Sequence, residues 1–255
     1  MFPTRLTIVT YNLWNTERWP ERQPALEQFV TLFRPDVLCL QELRAVTQAC
    51  LDRALPDHQR VHDDQTGWTC EGNIYWNAIL LAEVEHGAEP IGILEERRRM
   101  FWVRLRLLDS GRTVFVSNTH MTYQGHKDEV ATGMSPRRDQ ANRALAALER
   151  LVDENEPVFF VGDLNDPYLV PMLMHEAGFQ SCFSALGVQC PPTWPAYPTA
   201  NFSAGDWVTN QTIDWILANE HARALAANVP QCFVNDISPS DHWPVQAVYE
   251  VPPKA

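Results

Sequence analysis

The chain has 255 residues, 45% of them hydrophobic and 20% charged, so it can bury a large core and is not a disordered polymer. Its formal net charge of −12 argues against a protein that coats long nucleic acid through a broad basic surface. A small, locally basic, metal-assisted site remains open.

The elements run as follows. Residues 5–11 (RLTIVTY) form a strand-like run. Over 22–33, Ala25, Leu26, Phe29, Val30 and Phe33 fall at helical spacing, and Pro35 is the stop signal. DVLCLQ (36–41), NAILLA (77–82), FWVRLRL (101–107), TVFVSNT (113–119) and PVFFVG (157–162) read as strands. The alternation in FWVRLRL predicts one less buried face, whereas TVFVSNT and PVFFVG read as buried on both faces. A second helix over 137–152 carries Ala141, Leu145, Leu148 and Val152 on one stripe, with Pro157 beyond its end. Residues 187–212 read as a long ordered loop. IDWILA (213–218) and PVQAVYE (244–250) complete the strands. With no linker or repeat, one α/β domain with two substantial sheets is expected over 1–255.

Six cysteines make no CxxC pair, which argues against a structural zinc site, and Cys39 in its apolar run predicts a buried thiol. No signal peptide and no membrane-length apolar stretch is visible, so the expectation is a cytoplasmic chain with no obligate protein partner.

Polar residues fall at the ends of the strands. Asn12 ends the first and Glu42 the second. Asn118 and His120 end the fifth, at 113–119, and Asp163, Asn165 and Asp166 follow PVFFVG. Asp214 sits inside QTIDWIL, and Asp241 and His242 precede the last strand. Taken singly, each has a plain structural reading. Asn12 can cap a turn, Glu42 can be the first solvated residue after a strand, and Ser-Asp-His can be an Asx-turn. Asp214 resists this, because an acid in an apolar strand needs a partner. Together, in order along one chain, they point to one cleft. Carboxylates are hard ligands suited to Mg²⁺ or Mn²⁺, and with two histidines and two amides they suit attack on a phosphate.

The ordered set is Tyr11-Asn12-Leu-Trp14, Leu40-Gln41-Glu42, Asn118-Thr-His120, Gly162-Asp163-Leu-Asn165, Ile213-Asp214-Trp215 and Ser240-Asp241-His242. Six such motifs over residues 5 to 250 resemble the endonuclease/exonuclease/phosphatase superfamily of DNase I-like nucleases, sphingomyelinases and inositol polyphosphate phosphatases. The resemblance implies a four-layer α/β sandwich, two mixed β-sheets packed face to face with helices outside. It also implies a metal-dependent phosphoester hydrolase. It casts Glu42 as principal Mg²⁺ or Mn²⁺ ligand, with Asn12 and Asp241 beside the ion. Asp163 and Asn165 position the attacking water and the phosphate, or hold a second ion. His120 donates to a phosphate oxygen. His242 is a general base or transition-state stabiliser, with Asp214 on its other ring nitrogen. Whether Asp163 or His242 takes the proton stays open. Leu164 replaces the usual Phe of GDFN, Trp215 follows Asp214, and neither the tyrosine segment of abasic-site enzymes nor an inositol-phosphatase basic motif is present.

Candidate substrate contacts are Asn118, Arg137 of an RxxQ spacing (Arg137 to Gln140), and Trp207 among the aromatics Trp194, Tyr197 and Phe202. In Glu95–Arg99 (EERRR), Arg97 is expected to point inward. The acidic balance favours a short or small phosphate ester over DNA or RNA, while nucleic acid and nucleotide stay open as partners. A non-catalytic binding protein that keeps only the fold is the reading of a different class. The intact polar set argues against it.

Overall fold

The computed structural model describes residues 2–196 and 210–253. In chain order the strands are β1 (Thr4–Asn12), β2 (Val37–Gln41), β3 (His58–Arg60), β4 (Gly72–Asn77), β5 (Leu81–Glu89), β6 (Met100–Leu107), β7 (Thr113–His120), β8 (Val158–Asp163), β9 (Gln180–Ser181), β10 (Asp214–Ala218), β11 (Arg223–Asn228) and β12 (Val245–Val251). The helices are α1 (Trp19–Phe33), α2 (Ala45–Ala54), α3 (Gly67–Cys70), α4 (Lys127–Thr132), α5 (Arg137–Leu151), α6 (Leu169–Glu176) and α7 (Cys182–Ala185).

Two six-stranded mixed sheets result. One runs β11-β12-β1-β2-β4-β3 and the other β5-β6-β7-β8-β10-β9. Three apolar clusters define the layers. Ile8, Cys39, Ile74, Val103, Val116, Val161, Ile216 and Ala247 fill the space between the sheets. Val9, Leu38 and Leu40 of the first sheet meet Leu26, Phe29, Val30 and Leu51 of α1 and α2. Phe115, Phe160 and Leu217 of the second meet Ala141, Ala144, Leu148 and Met174 of α5 and α6. Helix, sheet, sheet and helix thus make the four-layer sandwich. Residues at odd and even places of one strand enter different clusters, so β7 and β8 are buried on both faces as their unbroken apolar runs require.

α1 ends where Arg34 turns left-handed (φ 36°) just before Pro35. The alternation of FWVRLRL is real, but Arg104 is buried, not solvated. Its guanidinium is bonded to Glu156, with Nε to Oε1 at 2.9 Å, and lies over the Phe115 ring. Arg106 takes the exposed place. Cys39 is buried, and burial pushes its thiol upward.

NAILLA is the one expected strand that fails. Asn77 ends β4, residues 78–80 turn, and Leu81 starts β5 in the other sheet. Ile79 is 69% exposed, so the run is a crossover with apolar side chains rather than core. The strand that belongs beside β2 is GNIYWN, whose flanking polar residues hide it. No helix among the described residues is long and apolar enough to cross a membrane.

Gly162 is fixed by its neighbour. It pairs with Thr119 across parallel β7 and β8, has φ 142°, and an added Cβ would lie 1.9 Å from the Thr119 carbonyl oxygen. Gly162→Ala is expected to destabilise the fold by about 3 kcal/mol or more, because backbone must part to admit the methyl. Urea unfolding checks this, and a loss below about 1 kcal/mol would count against so tight an approach.

Candidate active site

Topology gathers the polar ends. β1 and β2 are parallel, as are β7 and β8, so Asn12, Glu42, His120 and Asp163 leave their sheets at one edge. β10 runs antiparallel to β8 with Asp214 opposite Asp163, so its start lies there. β12 runs antiparallel to β1 with Val245 opposite Thr10, which brings Asp241 and His242 to the same edge. A cleft of about 440 Å³ opens at this edge. Asn12, Glu42, His120, Asp163, Asn165 and His242 line it, with Arg98, Tyr123, Gln124, Trp194, Gln211 and Ile213.

Asp163 is the hub. Its Oδ2 accepts from Asn12 Nδ2 at 2.9 Å and lies 3.3 Å from His120 Nε2 and 3.8 Å from His242 Nε2. Its Oδ1 accepts the Asn165 amide N–H at 2.9 Å, within a turn where Asn165 is left-handed. Asn165 Nδ2 is tied to the Met121 carbonyl. His242 Nδ1 is 2.9 Å from Asp214 Oδ2, and both side chains are buried. An acid inside an apolar strand therefore has its partner, and that bond fixes the imidazole tautomer. The loop before His242 is pinned by serines. Ser240 Oγ donates to the Asn12 carbonyl at 2.6 Å and accepts the His242 N–H at 3.2 Å.

The electrostatics follow from burial in acidic surroundings. Burial, with the Asp214 carboxylate alongside, pushes the Asp163 carboxyl up to about 7. Burial opposes charge on His242, but Asp214, Asp241 and Asp163 outweigh it and push its pKa up to about 10. His120 goes the other way. Burial, then the Arg98 and His242 charges, hold it well below the usual histidine range, so it is neutral at pH 7. The two histidines thus carry different charges a few ångströms apart.

A family model described as "Endonuclease/Exonuclease/phosphatase family" matches residues 9–242. The chain belongs to the endonuclease/exonuclease/phosphatase family. Solved structures agree on the fold. A family protein of this description from Bacteroides thetaiotaomicron superposes with TM-score 0.78 at 18% identity, covering 98% of this chain and 99% of that one. D. rerio TDP2 complexed with a single-strand DNA product gives 0.77 at 18% identity over 96% and 99%. The B. thetaiotaomicron mannosyl-6-phosphatase Bt3783 gives 0.76 at 19% identity over 96% and 99%. No curated protein matches the chain in sequence.

Members of this family are phosphoesterases that use a divalent metal, and the donor set here fits a hard ion. Glu42 reaches the cleft from a left-handed residue (φ 53°), and Asn15 Nδ2 holds its Oε2 at 3.1 Å. Burial, and then Glu42, raise the Asp241 carboxyl, while His242 and Arg22 pull it down. Asp163, Asp214 and His242 also bring one donor atom each within 4.8 Å of one another. The paired Asp214 and His242 Nδ1 are a poor metal site, because the proton they share occupies the nitrogen lone pair. The oxygen donors Glu42, Asn12 and Asp241 fit Mg²⁺ or Mn²⁺ better.

A thermal prediction follows. A raised folded-state pKa gives stability that is full below the unfolded value and lost as pH rises through the folded value. Asp163 loses it between about 4 and 7, and His242 between about 6.5 and 10. Without metal, the melting temperature is expected to fall from pH 5 to pH 8 by at least about 5 °C, given roughly 2–4 °C per kcal/mol. Added Mn²⁺ is expected to raise it more at pH 8 than at pH 5. Equal shifts at both pH values in thermal melts would oppose this.

Two expected substrate contacts, Asn118 and Arg137, do not line the cleft. Asn118 is buried, donates to the Leu40 carbonyl at 2.7 Å and accepts from Gln41 at 2.6 Å, so it joins the two sheets behind the site. Arg137 is buried by Glu129, Asp166 and the Thr122 carbonyl, and Gln140 is bonded to Thr122 and to the Gly92 carbonyl. The RxxQ pair therefore braces the segment after His120. Trp207, with Tyr197 and Phe202, lies outside the described residues. In EERRR it is Arg98, not Arg97, that lines the cleft. Arg97 reaches outward towards Cys70, while Arg98 sits among Glu42, Glu71 and Glu95. Period-two counting cannot separate neighbours in a turn, which is why the sequence misplaces this residue. Asn15 was also missed, because its role depends on a left-handed turn rather than on a strand end.

Proposed function

We propose that this chain hydrolyses a short or small-molecule phosphate ester by attack of water at phosphorus, with Mg²⁺ or Mn²⁺ as the ion. The observation that carries the reading is the buried Asp214–His242 pair, whose Nε2 faces the Asp163 carboxylate at 3.8 Å in a cleft bordered by Glu42.

Glu42, Asn12 and Asp241 would hold the ion, which when bound would withdraw charge from a phosphoryl oxygen and from water. His242 gives its Nδ1 proton to the bond with Asp214, so Nε2 is the atom that meets the substrate. Three carboxylates around it favour the imidazolium, and its Nε2–H donates to the phosphoryl oxygen on which charge grows. Asp163 takes the proton of the attacking water. Asn12 and the Asn165 amide hold its two oxygens in place for this. His120, neutral, donates to a second phosphate oxygen. Asn165 lines the cleft and orients the phosphate.

The net charge of −12 and a cleft lined by one arginine among the described residues support a substrate with few phosphates. The like-folded mannosyl-6-phosphatase Bt3783 is in keeping with that class. A second reading, cleavage of DNA or RNA, draws on the TDP2 structure with a single-strand DNA product. Hydrolysis of bis(p-nitrophenyl) phosphate and p-nitrophenyl phosphate with Mg²⁺, Mn²⁺ or EDTA tests the reading, and no turnover of any phosphoester would sink it. Cleavage of a labelled oligonucleotide that falls steeply with salt would favour the nuclease.

A further inference from the structure

Arg22 is a fully buried arginine in the first turns of α1, and the proposed chemistry does not use it. Among the described residues, every hydrogen bond it makes is to a backbone carbonyl. Nε donates to Glu17 O at 2.6 Å, Nη1 to Leu13 O at 2.9 Å and Pro239 O at 2.5 Å, and Nη2 to Trp14 O at 3.0 Å and Asn15 O at 3.3 Å. Its guanidinium also lies 5.1 Å from the Trp14 ring centre. Among the described residues no carboxylate pairs with it directly, and its donors meet carbonyl dipoles of two loops. One loop, 13–17, follows Asn12. The other, 238–242, carries Asp241 and His242. Trp14 and Asn15 within the first loop, and Arg18 just after it, hold left-handed backbone, which costs free energy unless something fixes it. Asn15 then reaches Glu42 Oε2 at 3.1 Å.

We propose that Arg22 and Asn15 form a positioning relay: Arg22 fixes the strained 13–17 loop against the 238–242 loop, and the loop so fixed lets Asn15 aim Glu42 into the cleft. This rests on the phosphoesterase reading and extends it. Neither residue touches substrate. An arginine suits the task because a planar fork with five donors can satisfy several carbonyls at once, which lysine cannot. The buried cation also offsets the Asp241 and Glu42 charges from behind.

The test is Mn²⁺ affinity, read from the free-ion EPR signal well below the melting temperature, on wild type, Asn15→Ala, Arg22→Lys, Arg22→Met and the Asn15→Ala/Arg22→Met double variant. Asn15→Ala and Arg22→Met are each expected to weaken Mn²⁺ binding by at least about tenfold, as loss of a ligand-orienting contact does. Arg22→Lys is expected to fall between Arg22→Met and wild type. The double variant is expected to be little weaker than Arg22→Met alone, because both act on one path. Lower melting temperatures with Mn²⁺ affinity and kcat unchanged would overturn the relay and leave Arg22 a structural residue. If Arg22→Met does not fold, Asn15→Ala decides, since it leaves the buried cation in place, and unchanged affinity there overturns the relay. Wild type that binds no Mn²⁺ and hydrolyses no phosphoester defeats the proposed function itself. Wild type that does both, beside variants that bind as well as it does, defeats only the relay.

Discussion

Replacing His242 by alanine is expected to lower kcat on a phosphodiester by roughly 10³-fold, the size seen when one charge-stabilising donor of an active site is removed. The fold should survive with a lower melting temperature. The imidazolium is buried among Asp163, Asp214 and Asp241, whose charges outweigh the cost of its burial. Removing it leaves Asp214 a buried carboxylate without its donor. Asp214→Asn separates the roles. It keeps the shape, removes the charge that holds the imidazolium, and is expected to cost about 10–100-fold, as loss of a contact that orients a catalytic group does. Rates measured at saturating metal on bis(p-nitrophenyl) phosphate decide this. A His242→Ala protein within a few-fold of wild type would end the role assigned to it.

The second large effect belongs to Glu42. Glu42→Ala is expected to weaken Mn²⁺ binding by about 100-fold or more and to remove most activity at ordinary metal concentration. The proposed donors that remain are then Asn12 and Asp241, and an ion that prefers six oxygens would lose one of its two carboxylate partners. Part of the rate should return at high metal, because Asp163 and His242 are untouched. Glu42→Ala with unchanged metal dependence would place the ion elsewhere, first of all at Asp163.

The strands that carry the site were legible because each is an apolar run that stops on a polar residue. Asn12, His120 and Asp163 needed no tertiary knowledge to be singled out. Asp214 was legible for a different reason: an acid among Ile213, Trp215 and Ile216 must be paired, and His242 is the partner the structure gives it. Direction was not legible. Asn118 neighbours His120 by two residues and so shares its face of the strand, yet its amide is spent between the sheets on Gln41 and Leu40. Arg137 read as a substrate contact at a helix start, and its side chain is buried as an internal strut. Arg22 is the instructive omission. It stands three and four residues before Ala25 and Leu26, on the stripe that Phe29 continues, so its burial was written in the helical spacing. An arginine on an apolar stripe is a signal of the same kind as an acid in an apolar strand. NAILLA misled because apolar composition is not burial, and only the change of sheet at residues 78–80 shows it to be a crossover.

The central claim is that water attacks phosphorus in this cleft with a divalent ion in place. Hydrolysis of bis(p-nitrophenyl) phosphate in heavy-oxygen water, with Mn²⁺ and with EDTA, tests it most directly. The account predicts turnover that EDTA abolishes and Mn²⁺ restores, with one heavy oxygen in the phosphate product and none in the p-nitrophenol. Heavy oxygen in the phenol, or turnover indifferent to EDTA, would contradict it.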